Sequence, residues 1–286
     1  MSNATAKLQW YRRAADNLAT GLAVLCVLLV MVPLAAIFVY LVIRGASSLN
    51  LSFFTQIPRP VGESGGGMAN AIVGSLELLF VGSLIGVPLG VGSGIYLSEY
   101  SRGQFGAVVR FTADVLNGMP SIVVGMAVYA LLVLHHHFSA LSGGVALGIM
   151  MIPTITRSTE EMLKLVPNSI REAALGLGIP QWRSTVSITL RTAMSGVVTG
   201  VMLAFARVSG ETAPLMFTAF GNQFWSFRLD QPIAALPLQI FVYAISPFDE
   251  WHRLAWAGAL VLITLIVVAS ASVRWIASRG FVGGTR

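Results

Sequence analysis

The chain has 286 residues, of which 55% are hydrophobic and 10% are charged, and its formal net charge is +6. Soluble domains average about 25% charged residues, and a globule this poor in charge lacks the polar surface that water requires. The composition therefore excludes a water-soluble globule and indicates that the bilayer is the solvent. The basic residues flank apolar runs and do not form one patch with interleaved aromatic residues, which argues against nucleic-acid binding.

Six apolar runs have roughly the length that a transmembrane helix needs, about 20 residues. The predicted spans are 18–43, 69–97, 108–134, 141–156, 192–217 and 254–276. Residues 232–246 are apolar but too short to cross, and they indicate a re-entrant or interfacial element. The pattern predicts an all-α polytopic membrane protein with about six transmembrane helices.

The predicted organisation is a short N-terminal segment followed by a single membrane domain. We expect a cytoplasmic segment at 1–17 and one transmembrane domain at 18–286. Within that domain, a cytoplasmic loop is expected at 158–191 and an extracytoplasmic or re-entrant segment at 218–253. The first apolar run has no small-residue cleavage site after it, so we expect it to remain as a membrane anchor.

The positions of Lys and Arg give the orientation, because short cytoplasmic loops retain these residues preferentially. With a cytoplasmic N-terminus, 13 of the 18 Lys and Arg residues lie on the cytoplasmic side, 4 lie outside, and Arg207 lies within a span. We therefore expect both termini in the cytoplasm of a bacterium, with the chain in the cytoplasmic (inner) membrane.

The stretch REAALGLGIPQW, residues 171–182, is charged and rich in alanine, although it lies between two apolar spans. Ser169 and Glu172 have the spacing of a capping box, and Gly178 followed by Pro180 can end a helix. The predicted helix has one apolar face, formed by Ile170, Ala173, Ala174 and Leu177. A helix this short is unstable alone, so it either packs on its own chain or fits a groove of another protein.

The same stretch carries a resemblance to a known family. EAALGLG, followed by Ile188 and Leu190, resembles the EAA signature of binding-protein-dependent ABC importer permeases, although Arg191 stands in place of its final proline. The resemblance implies a type I ABC importer permease fold, in which this loop forms a coupling helix that docks into a cytoplasmic ATPase. It implies an ATPase-coupling role for Ile170, Glu172, Ala173, Ala174, Leu177 and Gly178.

Other segments resemble the phosphate-specific branch of this family, the PstA permeases. These segments are GVPLGVGSGIYLSEY, NGMPSIVVGM, ARVSGETAPLMFTAFGNQFW and QPIAALPLQIF. The resemblance implies a subunit that moves inorganic phosphate into the cytoplasm. The partners it implies are a second permease subunit resembling PstC, a dimeric cytoplasmic ATPase resembling PstB, and an extracytoplasmic phosphate-binding protein resembling PstS.

We find no nucleotide-binding motif in this sequence. Lys7 and Lys164 are the only lysines, and neither follows the glycines of a P-loop. Gly90 and Gly94 have the spacing that lets membrane helices approach closely, which indicates packing rather than dinucleotide binding. We expect that the chain is not an enzyme and binds no cofactor itself, and that ATP and Mg bind at the partner ATPase.

Ionisable residues inside a bilayer are costly, which makes each of them a candidate functional residue. Arg207 and Glu211 are four residues apart in the fifth predicted span, and an arginine can bind an oxyanion through two parallel hydrogen bonds. Our hypothesis is that Arg207 lines the phosphate path and that Glu211 weakens the attraction enough for release; the alternative is a structural salt bridge. Glu77, which could face Arg207 or a subunit boundary, and Asn117, beside Pro120, are further pathway candidates with structural packing as the alternative.

The three consecutive histidines His135, His136 and His137 do not predict a metal site, because consecutive side chains point in different directions. No metal site is expected elsewhere.

Two functional alternatives remain open at this point. One is a permease for another oxyanion, such as sulfate or molybdate, and the other is a nucleotide-independent secondary transporter or channel. A scaffold subunit without substrate contact would tolerate neutralisation of Arg207.

Overall fold

The computed structural model describes residues 2–60, 63, 65–101 and 103–282. Arg102 and Arg286, which we counted on the cytoplasmic side, lie outside the described residues. The α-helices of the described chain are α1 Ser2–Ala46, α2 Leu51–Thr55, α3 Ala69–Ile95, α4 Gln104–Gly118, α5 Ser121–Val128, α6 Ala140–Lys164, α7 Asn168–Gly176, α8 Gln181–Ser184, α9 Leu190–Ser209, α10 Ala213–Thr218, α11 Leu236–Ala244 and α12 Asp249–Val282. Short π-helical segments extend α3 (Tyr96–Tyr100) and α5 (Tyr129–Val133), and a third, Thr185–Thr189, joins α8 to α9.

Five helices in the described part of the chain are long and apolar enough to cross a bilayer. They are Trp10–Ala46, Ala69–Tyr100, Ala140–Lys164, Gln181–Ser209 and Asp249–Ile276. A sixth crossing is added if the bent pair Gln104–Gly118 and Ser121–Val133 counts as one span. The predicted all-α polytopic fold is confirmed.

The third predicted span, 108–134, is not a continuous helix, and its break falls where Asn117, Gly118 and Pro120 interrupt the apolar run. The chain turns by 105° between Gly118 and Ser121, so that α4 and α5 are separate helices. Pro120 is the cause, because it has no backbone N–H to continue the ladder of α4 and instead holds the N-cap position of α5. Gly125 of α5 then packs on Pro214 of α10, where an added Cβ would come within 2.6 Å of the proline Cα.

The fourth and fifth predicted spans also have different ends in the structure. The fourth extends past residue 156 to Lys164, and the fifth begins at Gln181 and stops at Ser209 instead of reaching residue 217. Gly210 is the C-cap of α9, and Pro214 lies in the first turn of a new helix, α10. The added residues, 157–164 and 181–191, include charged and polar side chains, so a search for apolar runs does not assign them to the helices.

The core of the protein forms where α3 packs closely on α6. Glycines recur at every fourth residue of α3 on the face that meets α6. A Cβ added at Gly90 would come within 2.7 Å of Ile155 Cβ, and one added at Gly94 would come within 2.5 Å of Thr159 Cβ. The predicted role of these two glycines in close helix packing is confirmed.

The first and last long helices, α1 and α12, pack on each other. The centroids of the Tyr40 and Trp256 rings are 5.1 Å apart, and the rings are packed edge to face. The most apolar stretch of α1 has no buried residue, as expected for a helix surrounded by lipid. Residues 232–246 contain α11, whose 9 residues are too few to cross a bilayer.

Candidate functional site

Arg207 and Asn117 meet at the junction of three helices. Arg207 lies in the last turn of α9, and its Nη1 donates a hydrogen bond of 2.8 Å to Oδ1 of Asn117 in the last turn of α4. Thr154 of α6 donates from Oγ1 to the same oxygen at 3.4 Å. The sequence singled out Arg207 and Asn117 separately, but it gave no reason to select Thr154, since a threonine in an apolar helix is common.

Glu211 does not form the predicted helical pair with Arg207. The four-residue spacing would bring the two side chains together only if α9 continued, and α9 ends at Ser209 with Gly210 as its C-cap. Glu211 therefore lies in the connection to α10, where it is half-buried. Among the described residues, no ion pair or hydrogen bond joins Glu211 or the half-buried Glu77 of α3 to Arg207.

A row of charged contacts between α4 and α6 continues from this junction towards the C-terminal end of α6. Arg157 binds both carboxylate oxygens of Asp114, with 2.8 Å from Nε to Oδ1. One turn further, Glu160 is 1% exposed and accepts hydrogen bonds from Arg110 Nε at 2.7 Å and from Lys164 Nζ at 2.6 Å. Sequence reasoning missed Glu160, because no pattern along the chain shows that the packing of the helices buries this side chain.

The face of α9 that carries Arg207 is exposed and mostly polar, with Leu203 as its apolar member. Ser195, Thr199, Leu203 and Arg207 follow one another at four-residue spacing, and all four are exposed. Asp114 and Asn117 of α4 are exposed as well. Because polar and charged side chains are costly against lipid, this face requires water or another protein beside it.

The predicted short helix in REAALGLGIPQW is present as α7, Asn168–Gly176. Gly178 has a φ of +78°, the left-handed conformation that a glycine adopts easily after a helix end. The predicted capping box is wrong: Pro167 occupies the N-cap position, no side chain caps the first turn, and Ser169 lies inside the helix.

The residues predicted to form one face of α7 divide between the inside and the outside. Ile170 packs on a small cluster of its own chain that includes Val166 and Val197, and Ala174 is 3% exposed. Glu172, Ala173, Leu177 and Gly178 are exposed, and Leu177 is 81% exposed. Between these sides lies an open apolar groove of about 330 Å³, which is lined by Ser169, Ile170, Ala173, Ala174, Leu177, Ile179 and Ile188.

The model of one protein family, described as binding-protein-dependent transport system inner membrane component, matches residues 86–280. The chain belongs to this family. As a member, the permease is an integral inner membrane protein with several apolar helices. On the described residues, no cluster of His, Cys, Asp or Glu could hold a metal ion.

The permease is similar to proteins named phosphate transport system permease protein PstA. It is 48% identical to the one from Yersinia pestis over 92% of this chain and 89% of that protein. It is 46% identical to the one from Haemophilus influenzae over 91% and 92%, respectively. A more distant relative, PstA 1 of Mycobacterium tuberculosis strain H37Rv, is 35% identical over 94% and 90%.

Two groups of solved structures share the fold of the permease. The inward-facing MetNI methionine ABC transporter superimposes with a TM-score of 0.55, at 17% identity, and covers 77% of this chain and 98% of that chain. An amino acid ABC transporter with histidines gives a TM-score of 0.51 at 17% identity, over 75% and 92%. These neighbours confirm the predicted importer permease fold.

Proposed function

We propose that this permease is the membrane-spanning subunit of an ATP-driven importer that moves inorganic phosphate into the cytoplasm. The observation that carries the proposal is its similarity to proteins named PstA, up to 48% identity over nine-tenths of the chain. Two structural features support it: the exposed polar face around Arg207, and the exposed side of α7.

Arg207 is the cation that we propose to contact the phosphate. Its hydrogen bond to Asn117 uses Nη1, which leaves Nε and Nη2 for two parallel hydrogen bonds to an oxyanion. The guanidinium therefore offers the anion a positive charge together with two aligned donors. Asn117 holds this group in place and belongs to the same path.

The path itself is proposed to lie between this permease and a second permease subunit that resembles PstC. The polar face of α9 is not covered by any other described helix of the chain, and lipid is a poor neighbour for it. A second subunit across a water-filled space satisfies that face. We keep Glu77 and Glu211 in the proposed path as carboxylates that reduce the local positive potential, so that the anion is not held too tightly.

Energy enters through α7 in this proposal. A dimeric cytoplasmic ATPase resembling PstB inserts apolar side chains into the groove between Ala173, Leu177 and Ile188, and ATP and Mg remain on that ATPase. An extracytoplasmic phosphate-binding protein resembling PstS delivers the anion. This arrangement requires α7, and therefore both termini, to be on the cytoplasmic side, in agreement with the excess of Lys and Arg predicted there.

The test is phosphate uptake by the purified complex in lipid vesicles, with radiolabelled phosphate and with ATP supplied to the ATPase side. We expect uptake to require ATP and the binding protein, and to resist competition by sulfate and molybdate. Uptake that sulfate or molybdate suppresses would assign the permease to another oxyanion. Uptake that proceeds without nucleotide would show a secondary transporter or channel instead.

A further inference from the structure

Glu99 and Arg171 form an ion pair that connects the end of α3 to α7. Glu99 lies in the π-helical segment Tyr96–Tyr100, and Arg171 is in the first turn of α7. Arg171 Nη2 donates to Glu99 Oε1 at 2.8 Å, and Nε donates to Oε2 at 3.1 Å. The side chains are 6% and 19% exposed, so the pair is two-pronged and shielded from water.

Arg171 also binds the end of α6. Nη2 donates to the carbonyl oxygen of Leu163 at 2.7 Å, and Nη1 donates to that of Val166 at 2.5 Å and to Asn168 Oδ1 at 3.2 Å. The last carbonyls of a helix have no partner within the helix and favour a positive charge. Together with Glu99, these acceptors engage every N–H group that a guanidinium carries.

Glu99 has a second connection through its backbone. Its carbonyl oxygen accepts a hydrogen bond of 3.0 Å from Nε2 of Gln181. Gln181 begins the continuous helical stretch Gln181–Ser209, which ends beside Arg207. One residue of α3's extension thus contacts both α7 and the start of the helix that carries the candidate phosphate contact.

Apart from these hydrogen bonds, the contacts that the described residues show between α7 and the rest of the chain are apolar. Ile170 packs on a small cluster, and Ala174 is buried beneath the helix. Two small apolar contacts restrain the angle and register of a helix only weakly, because the attraction itself is non-directional. The two-pronged ion pair restrains both more tightly, because its planar geometry fits one orientation.

We propose that the Glu99–Arg171 ion pair is the strut that transmits movement of α7 to α3 and α9, which makes both side chains positioning residues for the coupling of ATP hydrolysis to transport. This inference rests on the proposed function, which places the ATPase on α7. A rigid strut transmits displacement, whereas without the pair α7 is tied to the end of α6 and to apolar neighbours but has no ion pair to the extension of α3.

The first test compares Glu99→Gln with wild type in the complete complex, reconstituted in vesicles with its ATPase and binding protein. We expect ATP hydrolysis to continue while the phosphate imported per ATP hydrolysed falls by roughly fivefold or more. Arg171→Lys keeps the charge but loses the two-pronged geometry. Its ratio of phosphate imported to ATP hydrolysed should therefore lie between those of the wild type and Glu99→Gln. The matched control is Asp230→Asn, which breaks the exposed Arg228–Asp230 pair and should leave the ratio unchanged.

The second test replaces the ion pair with a covalent link. Cys26 is the chain's single cysteine and is exposed, so Glu99→Cys with Arg171→Cys is made in a Cys26→Ser background. Joining the two thiols with a short bifunctional reagent should raise the low import-to-hydrolysis ratio of the double variant towards the wild-type value. A merely structural pair predicts equal ratios with and without the link.

The outcomes separate this inference from the proposed function. A wild-type complex that imports no phosphate with ATP would overturn the proposed function. Normal wild-type import together with an unchanged ratio in Glu99→Gln would overturn the strut alone. If Glu99→Gln fails to assemble, the cross-linked variant decides: restored coupling supports the strut, and a link that stops import or leaves the ratio low contradicts it.

Discussion

The side chains of Arg207 and Asn117 are joined by a 2.8 Å hydrogen bond across 90 positions of sequence. The bond fixes an exposed guanidinium at the meeting point of α4, α6 and α9. It also explains why the chain tolerates a charge in a membrane helix: one N–H is satisfied by the protein, and the others remain for water or for an anion.

Neutralising Arg207 should abolish most phosphate transport without disrupting assembly. Hydrogen bonds to charged groups are worth about 1.5–3 kcal/mol, so we expect Arg207→Gln to lower the initial uptake rate at least tenfold. Uptake of labelled phosphate in vesicles measures this. Arg253→Gln is the control, because Arg253 is an exposed arginine outside the polar face and its loss should change little. Undiminished uptake by a correctly assembled Arg207→Gln complex would remove Arg207 from the path.

The contact between α3 and α6 gives a prediction for stability. Gly90→Ala places a Cβ 2.7 Å from the Cβ of Ile155, which is closer than two such carbons normally approach. Such overpacking costs about 1–3 kcal/mol. We therefore expect a lower temperature of thermal denaturation in detergent. Gly92→Ala is the matched control on the same helix, since nothing lies within 4 Å of its added Cβ. Equal denaturation temperatures for the two variants would show that the helices do not pack this closely.

A charge in the groove of α7 should separate the permease from its ATPase. Ala173→Glu puts a carboxylate at an exposed wall of the apolar groove, where a docked side chain would have to desolvate it. We expect the ATPase to be lost on co-purification, or to hydrolyse ATP without driving uptake. Ser187→Glu is the control, because Ser187 is exposed but does not line the groove. Full coupling in Ala173→Glu would mean that the ATPase docks elsewhere.

Removal of the Glu160 carboxylate should destabilise the packing of α4 on α6. Glu160 is buried, and Arg110, Arg157 and Lys164 all donate to it. Breaking a buried pair by removing one partner costs about 3–5 kcal/mol, and the partial exposure of the three cations should place Glu160→Ala at the lower end. The free energy of unfolding in denaturant titrations measures this loss. Glu250→Gln, at an exposed ion pair, should give a value near wild type.

The sequence alone predicted the features that stand out along the chain. The long apolar runs predicted the membrane helices, Arg207 was singled out by the cost of a charge in lipid, Asn117 by its place beside Pro120, and Gly178 predicted the end of α7. These features depend on a residue and its neighbours in the chain, so local rules apply to them.

Features that depend on contacts between distant segments were not predicted. The hydrogen bond of Thr154, the burial of Glu160 and the pairing of Glu99 with Arg171, which lies 72 positions away, result from helix packing. The Arg207–Glu211 salt bridge, which was the alternative to a role in the phosphate path, assumed an unbroken helix. Gly210 ended that helix, although a single glycine in an apolar run is often tolerated.

The most direct test of the account is a photo-activatable cross-linking amino acid placed at Leu177, the C-cap of α7, which is 81% exposed, in the intact transport complex. The account predicts a cross-link from this position to the ATPase subunit, identified by mass spectrometry. A complex in which residue 177 reacts only with its own chain or with lipid, while the ATPase is present and active, would contradict the claim that α7 is the site where the ATPase drives transport.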